Sequence, residues 1–173
     1  MSQANVRFAV TGLNHGHIFG QTNSVLEAGA EAVCFFAPED DLAAQFSAAF
    51  PQIPRVGTLE EILEDESIHL VLNAGIPVER APMGIKVMQH GKDYMVDKPG
   101  LTTLEQLEEL RQVQAESGQI YSVCYSERFW SRAATKADER IQAGAIGDVI
   151  QTLSMGPHQR RQTHVRNSSK AFQ

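Results

Sequence analysis

Val6-Arg7-Phe8-Ala9-Val10-Thr11-Gly12-Leu13-Asn14-His15-Gly16-His17-Ile18-Phe19-Gly20 stands near the start of this 173-residue chain. Residues 6–10 are a short β-type run that stops at Thr11-Gly12. Ile18, Val25 and Leu26 give the segment after the turn an apolar side. The reading is strand, glycine-bearing turn, helix. Gly12 takes the first position of a G-x-G-x-x-G register, Asn14 and His17 take the second and third, and Gly16 lies one place early. Asparagine tolerates left-handed backbone angles, so Asn14 still suits the turn. His17 is bulkier, and either loosens helix–strand packing or points at a ligand. A turn of this kind sets free helix amides and a positive dipole end where dinucleotide folds seat a pyrophosphate.

The same alternation continues down the chain. Residues 32–36 read as a buried strand, Pro38 suits a helix start, and Leu42, Phe46 and Ala49 stripe that helix. Residues 53–56 are a weak strand candidate. Thr58 and Glu61 form a capping box, residues 68–72 a strand, and residues 78–90 a helix with Ala81, Ile85 and Met88 on one face and Gly91 at its end. Thr102 with Glu105 forms a second capping box before a stripe of Leu104, Leu107, Leu110 and Val113. Gly118 ends that helix and residues 119–125 form a strand. A helix over residues 130–143 and a strand over residues 149–155 complete the series. Strands alternating with helices imply parallel pairing through right-handed crossovers, hence an α/β doubly wound parallel sheet of Rossmann-like type.

Composition is ordinary for a globular protein, at 42% hydrophobic and 21% charged, and the formal net charge of −6 argues against nonspecific nucleic-acid binding. Cys34 and Cys124 lie in strand-like runs and read as buried free thiols rather than a disulfide framework. Residues 1–5 carry no basic segment leading into an apolar one, and no run reaches the length of a membrane span. A cytoplasmic protein is the expectation.

A second informative stretch is Tyr94-Met95-Val96-Asp97-Lys98-Pro99-Gly100. An apolar strand there runs straight into a carboxylate, an amine and a proline, at the end of the strand where open α/β sheets hold ligands. An ammonium on that support can polarise a carbonyl or stabilise a forming alkoxide. A surface ion pair before a turn is the plainer reading of Asp-Lys-Pro alone. At the end of the second strand, where an acid usually meets the ribose, Phe35, Phe36 and Ala37 stand instead, with Glu39 the nearest acid. That leaves NAD and NADP both open. His15 and His17 lack an obvious third ligand, so no metal is expected; histidines donating to phosphate or lining the turn are the preferred reading.

In combination these stretches resemble the N-terminal half of the Gfo/Idh/MocA oxidoreductases, the glucose–fructose oxidoreductase and inositol dehydrogenase family. The resemblance is carried by residues 8–17, by residues 94–99, by Tyr125-Ser126-Glu127-Arg128-Phe129 and by Ala143-Gly144-Ala145-Ile146-Gly147-Asp148-Val149, in the expected order. It covers residues 6–158. It implies an NAD or NADP site formed by Gly12, Leu13, Asn14, His15, Gly16, His17, Asn73, Ala74, Asp97 and Lys98. It also implies that Lys98 contacts nicotinamide and substrate hydroxyls and assists proton transfer, in hydride exchange with a sugar, polyol or related hydroxy compound. Asp97 would orient Lys98 or face the cofactor. Arg128 would lie near substrate or cofactor, for which a helix-start cation is an adequate alternative. Two departures stand out. Asp97 replaces the glutamate of the family's Glu-Lys-Pro, and Asn73-Ala74-Gly75-Ile76-Pro77 with Arg80 replaces its Thr-Pro and following histidine.

The family's C-terminal half is a large antiparallel sheet carrying substrate residues, an Asp/His motif and the oligomer interface. Here the expected organisation is a dinucleotide-binding domain over residues 1–125, then a linker helix and the first strand of a truncated second α+β domain over 126–158. A basic tail over 159–173, with Arg160, Arg161, Arg166 and Lys170 and no acid, reads as disordered. A frameshift or early stop would leave such a tail, and a basic interaction tail is the other reading. The alternative to an oxidoreductase domain is therefore a truncated, inactive dinucleotide-binding module or regulatory protein. A lone edge strand at 149–155 predicts self-association.

Overall fold

Strands of four or five residues, all parallel, build the sheet in a computed structural model that describes residues 6–125 and 131–153. The chain divides into two units, Met1–Cys124 and Tyr125–Gln173. In the first, the order of elements is β1 (Arg7–Thr11), α1 (His17–Glu27), β2 (Glu31–Phe35), α2 (Asp40–Ala49), α3 (Glu60–Glu64), β3 (Leu70–Asn73), α4 (Pro77–Gln89), β4 (Asp93–Asp97), α5 (Leu104–Ser117) and β5 (Tyr121–Cys124). The sheet order is β2-β1-β3-β4-β5. The chain reverses direction across the sheet between β1 and β3, and the crevice at that switch point is where such sheets bind ligands. The weak strand read over 53–56 is a single parallel bridge, Phe35 to Arg55, on the outer edge of β2. Counting it, the spatial order is the 3-2-1-4-5-6 of dinucleotide-binding folds.

The two faces of the sheet differ in packing. Phe8, Val10, Phe35, Leu72 and Met95 meet Ile18 of α1 and Ala43 and Phe46 of α2. Phe46 lies 4.8 Å from the Phe35 ring and 4.9 Å from Phe50, a tilted aromatic cluster. On the opposite face Ala9, Val71, Tyr94 and Val96 meet Ile62 and Leu63 of α3 and Val87 of α4. Alternation along β4 therefore assigns Met95, and two residues later Asp97, to the α1 side of the sheet.

Local signals account for most element ends. Thr58 Oγ1 accepts from the Glu61 amide at 3.4 Å while Glu61 Oε1 accepts from the Thr58 amide at 2.9 Å, the expected reciprocal box. The second box falls one residue later than the sequence suggests. Thr103 Oγ1 accepts from the Gln106 amide, and Gln106 Oε1 accepts from the Thr102 amide. Leu104 thereby becomes a first-turn residue, 75% exposed, and leaves the apolar stripe to Leu110 and Val113. Gly91 and Gly118, at φ +71° and +72°, end α4 and α5. The Lys98–Pro99 peptide bond, whose isomer the sequence leaves open, is cis. Cys34 is buried, and burial with the charges of Asp65 and Glu61 pushes its thiol up to about 11; Cys124 is only half-buried.

In the second unit, α6 (Arg132–Gln142) is capped by Ser131, whose hydroxyl accepts from the Ala134 amide at 3.2 Å. The strand read over 149–155 is not formed in its described part. Residues 149–153 have no ladder partner among the described residues, and Ile150 and Leu153 are 96% and 86% exposed. A parallel or antiparallel strand exists only by pairing, so its apolar composition alone does not make one. Arg128, and residues 154–173 with the basic tail, lie outside the described residues.

Candidate dinucleotide site at the strand ends

Gly12, directly after β1, adopts φ +63° and turns the chain across the top of the sheet. Its carbonyl accepts from the Ala74 amide at 2.9 Å, and the Ala74 carbonyl accepts from the His15 amide at 3.0 Å. Asn73 Oδ1 accepts from the Gly75 amide at 2.7 Å, so the segment after β3 is itself folded into a turn. Asn73 and Ala74 are both buried and hold the glycine loop from beneath. Leu13 anchors the loop in the α1-side core, while Asn14, His15 and Gly16 are exposed. His17 is the first residue of α1, an 11-residue helix whose first amides meet loop acceptors: His17 donates toward His15 Nδ1 at 3.3 Å, and Ile18 and Phe19 donate to the carbonyls of His15 and Gly16 at 3.2 and 3.4 Å. A positive-φ glycine followed by an exposed turn and a helix N-terminus at the switch point suits a pyrophosphate.

The histidines lean toward β4. His17 Nδ1 lies 2.9 Å from Asp97 Oδ1 and His15 Nδ1 lies 3.2 Å from Asp97 Oδ2. The two imidazoles meet edge to face, 4.3 Å between centroids. Asp97 is 2% exposed, yet ionised: burial alone would raise its carboxyl, but the His15 and His17 imidazoles beside it and the charge of Arg80 bring it down to about 2. The third ligand-type side chain that the two histidines lack in sequence is thus Asp97. Its charge is already matched by a guanidinium, however, so the cluster is built as a hydrogen-bonded ion pair.

That guanidinium belongs to Arg80, on α4 and 3% exposed. Nη2 donates to Asp97 Oδ2 at 3.3 Å, Nη1 donates to the carbonyls of Asp97 and Pro99 at 2.9 and 3.1 Å, and Nε donates to the Gly75 carbonyl at 2.8 Å. Desolvation lowers the Arg80 pKa, with Asp97 opposing that. One side chain therefore fastens the turn after β3 to the turn after β4, and frames Lys98, which is half-buried between two backbone groups that Arg80 grips. Sequence reasoning noted Arg80 only as a departure. Its signal was periodicity, since Arg80 shares the buried face of α4 with Gly84, Val87 and Met88.

On the other side of the loop, Asn14 Nδ2 donates a long 3.4 Å hydrogen bond to Glu39 Oε1, at the N-cap of α2. Asp40 and Asp41 follow in the first turn. Arg55, the cation beside them, is engaged by Asp40 Oδ1 and the Ala37 carbonyl, each at 2.8 Å. The loop thus spans an acidic edge at β2 and the Asp97–Lys98 corner at β4.

The Asp97 ion pair gives a pH signature. A carboxyl depressed in the folded state adds stability that is fully present above its ordinary value near 4 and is lost as pH falls toward 2. Unfolding free energies from urea titrations between about pH 5 and pH 2 should fall for the wild type by about 2 kcal/mol more than for Asp97→Asn. Equal slopes for the two proteins would remove Asp97 from the acid transition.

Comparison with known proteins agrees with this fold. Residues 6–125 match the model of the Gfo/Idh/MocA oxidoreductase family, NAD-binding Rossmann fold. A scyllo-inositol 2-dehydrogenase (NAD(+)) of Bacillus subtilis is 32% identical over 146 residues, 84% of this chain and 42% of the relative. A crystal structure of a proposed oxidoreductase from Erwinia carotovora atroseptica is 39% identical with a TM-score of 0.88, covering 91% of this chain and 47% of that one. The WlbA dehydrogenase of Bordetella pertussis, solved with NADH and UDP-GlcNAcA, shares the fold at a TM-score of 0.71 and 19% identity, over 83% of this chain and 43% of that one. The chain spans less than half the length of each of these proteins. Among the described residues no helix is long and apolar enough to cross a membrane.

Proposed function

Because the chain belongs to the Gfo/Idh/MocA oxidoreductase family and has its NAD-binding Rossmann fold, we propose that it seats a nicotinamide dinucleotide for hydride exchange with a sugar, polyol or related hydroxy compound. The observation that carries this reading is the convergence of the Gly12–His17 loop with the Asp97-Lys98 corner at one end of the sheet. The dinucleotide supplies the hydride acceptor or donor. Gly12 and the helix start at His17 would hold the pyrophosphate, Glu39 beyond β2 would meet the adenosine ribose, and Lys98 beyond β4 would meet the nicotinamide. Lys98 faces the reacting hydroxyl and stabilises charge on its oxygen as the proton leaves. Asp97 acts behind Lys98, its two oxygens engaged by His15, His17 and Arg80. Asn73 and Ala74 hold the loop from beneath and stay part of the proposed cofactor site. Arg128 retains its proposed place near substrate or cofactor, a cytoplasmic location stays part of the reading, and self-association now rests on the exposed Ile150 and Leu153 rather than on a strand edge.

NADH fluorescence titration tests the site. Saturable binding is expected for wild type and for Lys98→Ala alike, whereas turnover with a polyol panel should drop about 100-fold or more in Lys98→Ala. Equal turnover in both would remove Lys98 from the chemistry.

The acidic edge at β2 sets the preference between cofactors. Glu39, Asp40 and Asp41 would meet a 2′-phosphate with like charge, while Glu39 can accept from a 2′-hydroxyl. NADH should bind about tenfold tighter than NADPH, a difference of about 1.4 kcal/mol, and Glu39→Gln should narrow that ratio. Tighter binding of NADPH to the wild type would reverse the assignment.

A further inference from the structure

The His15 imidazole meets two demands that one nitrogen cannot satisfy. The His17 backbone amide donates toward His15 Nδ1 at 3.3 Å, which requires a bare lone pair. Asp97 Oδ2 lies 3.2 Å from the same nitrogen, and an ionised carboxylate at that distance favours a proton on it. An imidazole nitrogen carries one or the other in its ring plane. With Nδ1 bare, the lone pair faces an ionised carboxylate. With Nδ1 protonated, the His17 amide loses its acceptor.

The His17 amide is also the first amide of α1, one of those with no intrahelical acceptor and the group a helix N-terminus offers to an anion. An anion that takes this amide releases His15 Nδ1 from its acceptor role. Asp97 is then its remaining polar neighbour, and the imidazole is left between two negative groups. From this we propose that dinucleotide binding at the glycine loop is coupled to uptake of a proton by His15, which turns from acceptor for His17 into donor to Asp97. The inference rests on the reading of the loop as the pyrophosphate seat.

The surroundings favour full protonation over a mere exchange of tautomers. A neutral ring with its proton moved to Nδ1 would carry no charge between the carboxylate and the arriving anion, whereas the imidazolium complements both. The charged and titratable groups around the ring are His17 from α1, Asp97 from β4, Arg80 from α4 acting on Asp97, Lys98 next in the chain, and Glu39 reaching the loop through Asn14. Arg80 and Lys98 oppose an added proton. Asp97 and the anion outweigh them because they are the groups the ring touches. The His15 side chain is 51% exposed, so the proton exchanges directly with solvent.

Calorimetric titration of the full chain with NADH at about pH 7, in two buffers of different ionisation enthalpy, reads the proton count directly. The expected result is an apparent enthalpy that depends on buffer for the wild type, corresponding to uptake of up to about one proton, and a dependence largely lost in His15→Asn, with NADH bound more weakly. Binding with a buffer-independent enthalpy would overturn the coupling and leave the dinucleotide site standing. Undiminished uptake in His15→Asn would overturn the assignment to this residue. Absence of NADH binding by the wild type would overturn both the coupling and the reading beneath it.

Discussion

Arg80→Met is expected to lower unfolding stability by about 3–5 kcal/mol, the usual cost of removing one partner from a buried ion pair. Methionine fills much of the volume of the arginine stem, so the loss would come from polar groups rather than from a cavity. Four hydrogen bonds disappear together, and Asp97 is left 2% exposed without its guanidinium. Two of those bonds hold the carbonyls of Asp97 and Pro99, on either side of Lys98, so cofactor titrations should weaken in the same variant. Urea unfolding is the direct measurement. Adding Asp97→Asn removes the uncompensated charge, and the double variant should recover part of the deficit, a coupling typical of residues in one network. A cost below about 1 kcal/mol for Arg80→Met would mean that the ion pair offsets little more than its own desolvation.

The alternation of strands and helices is legible because each element carries its own period and punctuation, and the parallel sheet follows from that order. What is not legible is which side chains meet across it. His17 and Asp97 are 80 residues apart, and β1 and β4 are separated in the sheet by β3. Their contact exists because the loop after Gly12 crosses β3, held by the Ala74 carbonyl on the His15 amide. No local pattern encodes that path. The shifted capping box has a different origin: Thr102 with Glu105 and Thr103 with Gln106 both satisfy the same local rule, and only the path of the chain after Pro99 selects the second. The strand read at 149–155 fails for want of a partner segment, since β-propensity reports fit to a pleated neighbour rather than an intrinsic backbone preference. Arg80 was readable as a charge at a core position of α4, but its four acceptor atoms lie on Gly75, Asp97 and Pro99, at strand ends whose proximity sequence alone leaves unplaced.

The glycine fingerprint makes a sharper prediction than its irregular spacing suggests, because its two glycines are not equivalent. At Gly12 the backbone is left-handed, and a Cβ would lie 2.5 Å from Asn73 Nδ2 and 2.7 Å from its Oδ1. Asn73 cannot withdraw freely, since its Oδ1 holds the Gly75 amide and the residue is buried. Gly12→Ala therefore combines left-handed strain of about 1–2 kcal/mol with overpacking of about 1–3 kcal/mol. It should destabilise the protein by roughly 3 kcal/mol and weaken NADH binding by about tenfold or more, because the displaced Asn73 supports the loop that faces the cofactor. Gly16 has φ −60° and nothing within 4 Å of a Cβ, so Gly16→Ala should leave thermal stability nearly unchanged. Its added methyl occupies the open side of the loop, where the pyrophosphate is proposed to sit. A selective loss of NADH affinity in Gly16→Ala, without loss of stability, would mark that space as ligand volume. Gly12→Ala that folds and binds like wild type would mean that the loop adjusts freely, and would remove the first position of the fingerprint from the account of the site.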